Sequence, residues 1–194
     1  MAAERKTERP DRGLYDWVQT LVCAVTAVVL IFAFAARIVS VSGPSMRETL
    51  QNGDKLLVLD SHLCGEYRQG DIVIFQKPDF EDGEQIVKRV VATAGQTVDV
   101  DFGAGVVYVD GEALEEPYTR EPTWLDEGLS FPVTVPEGCV FVMGDNRNDS
   151  KDSRHTELGP LDTRCVIGRA VLIAIPGETA GLERREWSRV GVPD

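Results

Sequence analysis

The sequence predicts a mainly β protein: a single N-terminal transmembrane helix followed by an antiparallel β domain with a small inserted β subdomain. Three observations carry this. Residues 17–36 (WVQTLVCAVTAVVLIFAFAA) hold no charge. The chain after them is cut into short β-branched runs by Gly, Pro, Asn and Asp. Strands do not alternate with helices there, which argues against a parallel α/β sheet.

Residues 1–13 are polar and read as disordered, within a cytoplasmic tail of residues 1–16. Twenty helical residues span about 30 Å, the thickness of the bilayer's hydrocarbon core, so residues 17–36 read as an anchor in the lipid bilayer. Two alternatives compete. A buried core helix would carry a polar stripe, whereas only Gln19, Thr20 and Thr26 interrupt this run. A cleaved signal peptide would use Arg5, Lys6, Arg9 and Arg12 as its basic region and Ala33-Phe34-Ala35 as its cleavage site, but the apolar run is long for that role. Basic residues before the run favour a cytoplasmic N-terminus. In either case residues from about 37 onward lie outside the cytoplasm.

Beyond the anchor, Lys55–Leu59, Asp71–Phe75, Ile86–Ala92, Val98–Phe102 and Val106–Val109 read as strands, with a hairpin turn at Asp110-Gly111. Residues 112–132 are acidic and broken by Pro117, Pro122 and Pro132, an irregular excursion within a subdomain inserted at about 104–137. Strand character returns at Cys139–Met143 and Cys165–Ile175, and Pro176-Gly177 ends it. The extracytoplasmic domain is thus 37–176, and 177–194 read as a charged tail.

The net charge of −12 falls wholly after residue 16, because residues 1–16 sum to zero. Such an acidic domain is a poor nucleic-acid binder. The four cysteines form no CxxC pair, and His62 and His155 are far apart, so neither a zinc site nor another cofactor is expected. A disulfide among Cys64, Cys139 and Cys165 stays open, with no pair favoured.

Chemistry concentrates in three stretches. In "SVSGPSMRETLQNGD" (40–54), Gly43-Pro44 stiffens the backbone before Ser45. A serine hydroxyl needs a base, and neither histidine sits in a motif. Lys88, within "QIVKRVVATAG", is the lysine most embedded in β-branched sequence. Desolvation there would lower its pKa and free a neutral amine to act as base; the alternative is a lysine on the strand's solvent face. The third stretch, "FVMGDNRNDSKDSRHTELGPL" (141–161), runs from a strand into a dense polar loop where Asp152 and Arg154 could pair.

In order, "SGPSM…TL" after an anchor, "GDIVIF", "VKRVVATAGQ" and "GDNRNDSKDSR…GPL" resemble the bacterial type I signal peptidases, the Ser/Lys leader peptidases. The resemblance covers the chain from the anchor to about residue 175. It implies a β-rich core with a smaller inserted β subdomain, and an enzyme that removes signal peptides from secretory preproteins after Ala-X-Ala, without metal or cofactor. By it, Ser45 is the nucleophile and Lys88 the general base. Ser150 holds the lysine amine, Asp145 and Asn146 lie beside the site, and Asp152 and Arg154 form a structural ion pair. Val41, Met46, Leu50, Ile86 and Val87 fall at positions lining the substrate pockets or the active-site corner. Departures are Glu48 where the family usually has Pro, Gly43 where one branch has an oxyanion-binding serine, Ala94-Gly95-Gln96 for the frequent "PGD", and "RNDS" for "RDNS".

Overall fold

The computed structural model describes residues 11–178 and 185–193; residues 1–10 of the N-terminal tail and 179–184 and 194 of the C-terminal tail lie outside the described residues. The chain divides into two compact units, Met1–Ala36 and Arg37–Asp194.

The first unit carries α1 (Asp11–Phe34). Its residues 13–34 are exposed all along, although they are the most apolar in the chain. A helix with no polar face and no protein covering it is suited to lipid, and these 22 residues span about 33 Å. The helix begins at Asp11, inside the segment expected to be disordered, because once a helix is nucleated each further residue adds a hydrogen bond.

The second unit is mainly antiparallel β. Its large sheet contains β1 (Ala36–Ser40), β2 (Lys55–Asp60), β3 (Ile72–Gln76), β4 (Gln85–Thr93), β9 (Cys139–Met143), β10 (Leu161–Asp162) and β11 (Val166–Ile175), in the order β1-β2-β11-β3-β4-β9-β10. The smaller sheet is β7-β6-β5-β8, built from β5 (Thr97–Asp101), β6 (Val106–Val109), β7 (Glu112–Ala113) and β8 (Val133–Thr134). A one-turn helix, α2 (Ser61–Cys64), follows β2 and is capped by the Asp60 side chain.

The two faces of β4 and β9 hold different cores. Val73, Phe75, Val90, Val140 and Val142 pack on one side with Leu158 and Leu161. Val91, Ala92, Phe141 and Met143 pack on the other against Val98, Val100, Val107 and Val109 of the small sheet. Alternation along β9 produces this division, and on β4 the register shift between Val90 and Ala92 puts Val91 and Ala92 in the same core. The smaller sheet is therefore seated on β4 and β9, toward the β10 edge of the larger one.

Three details depart from the sequence expectation. Residues 163–165 form a 3₁₀ turn capped by Asp162, so the last strand starts at Val166 rather than Cys165. The one-turn helix α2, which carries His62, forms where the sequence reading assigns no helix. Within the segment read as a tail, Arg189 forms an ion pair with buried Asp54, and Ile173 and Gly191 exchange backbone hydrogen bonds. All four cysteines are free thiols, and Cys64 Sγ donates to the carbonyls of Leu59 and Asp60.

Candidate active site

Ser45 sits on the turn between β1 and β2. Gly43 has φ +91°, a conformation that side-chain-bearing residues rarely adopt, which accounts for glycine at this position. Pro44 follows, and its carbonyl accepts from Arg47 N at 3.0 Å to start a compact turn. The corner is clamped from the far side of the chain. Asn146 N donates to Ser45 O at 3.0 Å, and Asn146 Nδ2 donates to Pro44 O at 3.1 Å. Asp145 N donates to the thioether of buried Met46, and Thr49 Oγ1 donates to the Asp145 carboxylate. Gly144 allows the close approach: a Cβ there would meet Ser150 Oγ at 2.2 Å and Ser45 O at 2.6 Å.

Lys88 lies on β4 opposite Val73 of β3, with 3% of its surface exposed. Its Nζ donates to Ser45 Oγ at 2.7 Å. The solvent-face alternative is thereby excluded. Burial pushes the lysine pKa down to about 8, against the opposing pull of Asp152, Glu127 and Glu81.

The loop after β9 supplies the remaining groups. Ser150 Oγ donates to Asp152 Oδ2 at 2.9 Å, and so does Gly144 N. The family resemblance implies that Ser150 holds the lysine amine; the hydrogen bond seen here runs to Asp152 and leaves the serine oxygen free to accept. Asp152 and Arg154 pair at 2.9 Å, both fully buried. Burial alone would raise the Asp152 pKa, but the Arg154 guanidinium overrides it and holds the carboxyl below the usual range. Arg154 also donates to the carbonyls of Leu125 and Arg147, tying the inserted excursion to the loop.

A cleft of about 260 Å³ opens beside the pair. Val41, Met46, Ile86 and Val87 line it. Leu50, expected there, is instead fully buried in the core cluster with Val39 and Leu56. Sequence reasoning missed Glu81, Glu84 and Lys151 on the rim of the cleft. It also missed Arg89, whose guanidinium makes two hydrogen bonds of 2.9 Å to Asp145 and stacks 4.0 Å from the Tyr118 ring centroid. A cation between β-branched residues was the one available signal for Arg89; the rim residues had none, because their position depends on a loop fold.

Comparison with known proteins gives the family. The family profile described as "Signal peptidase, peptidase S26" matches residues 14–175. Signal peptidase I of Bacillus licheniformis is 35% identical, over 89% of this chain and 95% of its own. Probable signal peptidase I-1 of Synechocystis is 36% identical, over 89% of this chain and 88% of its own. Signal peptidase I of Bacillus amyloliquefaciens is 32% identical, over 90% of this chain and 92% of its own. A match of this extent places the chain among serine endopeptidases: it belongs to the signal peptidase family, peptidase S26.

Proposed function

We propose that this protein removes signal peptides from secretory preproteins through a Ser45 nucleophile and a Lys88 general base. The observation that carries the reading is the 2.7 Å contact between Lys88 Nζ and Ser45 Oγ, made by a lysine with 3% exposure. A lysine pKa of about 8 leaves an appreciable neutral fraction near neutrality. With the amine neutral the same contact runs the other way, from hydroxyl to nitrogen lone pair.

The substrate strand has a place to dock. β4 pairs with β3 from Gln85 onward but with β9 only from Arg89, so residues 85–88 keep one edge free of strand pairing. An extended peptide added there would pass beside Ser45. The cleft walls of Val41, Met46, Ile86 and Val87 suit small side chains at the first and third positions before the scissile bond, which supports Ala-X-Ala selection. Lys88 takes the Ser45 proton as Oγ attacks the carbonyl. Among the described residues the Ser45 N–H has no protein acceptor, so it can donate to the oxyanion. The ammonium then protonates the leaving amine, and water activated by Lys88 releases the acyl-enzyme. Every step uses the chain's own groups and water. The exposed helix α1 anchors the protein, with its N-terminus cytoplasmic and the β unit outside.

The test incubates the detergent-solubilised full chain with a preprotein bearing an Ala-X-Ala site, beside its Ser45→Ala and Lys88→Ala variants, and reads the products by mass spectrometry. Cleavage after the last alanine by the parent alone is expected. Cleavage by a folded Lys88→Ala variant would overturn the assignment of the base.

A further inference from the structure

The charged network around Lys88 includes a carboxylate for which neither motif nor resemblance gives a role. Glu127 belongs to the acidic excursion between β7 and β8. That excursion returns to the main sheet at one place. Gly128 bridges His155 in antiparallel fashion, and Leu129 N donates to Arg154 O at 3.0 Å. This pairing presses Glu127 onto the loop: its Oε2 accepts from Asp152 N at 3.3 Å and lies 3.6 Å from Arg154 Nε. Its side chain is 8% exposed.

The charges do not balance locally. Arg154 faces two carboxylates, Asp152 and Glu127, and Asp152 already holds Arg154 Nε and Nη2 at 2.9 Å each. Lys88, hydrogen-bonded to the Ser45 hydroxyl, has no carboxylate partner of its own among the described residues, and the Asp152 and Glu127 charges both act on it. Glu81 at the cleft rim adds a further negative charge toward Lys88. On the loop, Lys151 pairs with Glu81 and Glu157, Arg147 pairs with Glu116, and His155 bridges Gly128.

We propose that Glu127 is a positioning residue for the reaction, whose carboxylate charge sets how firmly Lys88 holds its proton. This inference rests on the Ser45/Lys88 reading. Ionised Glu127 favours the ammonium and delays the appearance of the free base; protonated Glu127 releases it. Burial and then the Asp152 charge push the Glu127 pKa up to about 7, so its carboxylate gains its charge just below the range in which Lys88 loses its proton. The inserted subdomain thereby acts on the base through charge, without touching substrate.

The experiment is the pH profile of kcat/KM for preprotein cleavage by the full chain and by Glu127→Gln. Gln retains an oxygen for the Asp152 N–H but loses the charge. The acidic limb should move toward lower pH by about half a unit or more, giving roughly threefold higher activity on that limb, with the alkaline plateau unchanged. Glu127→Asp, which restores the charge, should bring the limb back toward the parent's. A folded Glu127→Gln enzyme whose limb coincides with the parent's overturns the proposal. Should Glu127→Gln not fold, a ¹³C titration of glutamate-labelled parent protein decides. One carboxyl titrating near neutrality supports the proposal, and all carboxyls titrating in the ordinary acid range overturn it. Turnover by Lys88→Ala would remove the dyad reading itself. Loss of that turnover with an unmoved Glu127→Gln limb would remove the present inference alone.

Discussion

Lys88 and Arg89 are neighbours on β4, 3% and 4% exposed, yet the structure treats their charges in opposite ways. Arg89 is compensated: Asp145 faces it with both oxygens, Thr49 Oγ1 and Gly70 O accept from it, and Tyr118 covers its plane. Lys88 is not. Its hydrogen-bond partner is a neutral hydroxyl, and the carboxylates that act on it do so from a distance. Two cations buried alike therefore divide the work. The paired one fastens the serine corner to the sheet, because Asp145 also holds Thr49 and Met46. The unpaired one is left with a weakened hold on its proton, which a general base requires.

Lys88→Met tests the contrast most severely. It should lower cleavage by roughly 10⁴-fold or more, the scale of loss when a member of a nucleophile–base pair is removed, while leaving a folded protein. Arg89→Met should behave differently. It strands the Asp145 carboxylate in a dry site and should cost about 3–5 kcal/mol of stability, read by denaturant unfolding. If Arg89→Met proved as stable as the parent, the fastening role would be wrong.

A finer test compares the stability of the parent with that of Lys88→Met across pH. The folded pKa of Lys88, about 8, lies below its unfolded value near 10.5. The unfolded chain thus binds more protons between those values, and stability rises with pH there. The penalty of the buried ammonium is fully present below about pH 8 and disappears as pH passes 10.5. Lys88→Met should therefore be the more stable protein at pH 7 by on the order of 3 kcal/mol, and that advantage should vanish by pH 11 or so. A pH-independent difference would mean that Lys88 is not desolvated in solution.

The same contrast shows what could be read in the sequence. The β runs were legible because β-branched stretches such as IVIF in β3 are wholly buried and bounded by turns. The apolar helix was legible because charge is missing from twenty consecutive residues. Ser45 and Lys88 stand out as a serine on a stiff corner and a lysine in an apolar strand, although 43 residues separate them. Arg89 could not be assigned a partner, since Asp145 lies 56 residues away on another strand's end. Glu127 was one acidic residue in an acidic excursion, and only the bridge at Gly128 and His155 selects it. The resemblance puts Leu50 among the pocket positions, but in the structure it packs beside Val39 and Leu56 and, unlike Val41, Met46 and Val87 of the same cluster, does not line the cleft.

The clamp on the serine corner has a bearing on timing. Pro44 and Ser45 are gripped by Asn146, which follows Pro44 by 102 positions, and the packing that admits this grip depends on Gly144 and Ser150 beyond β9. A growing chain that has passed Lys88 already contains both members of the proposed dyad, but it lacks the part that holds one against the other. Readiness to react is therefore conferred late, by residues 144–150 beyond β9, and a copy that stops short of them carries its proposed nucleophile uncocked.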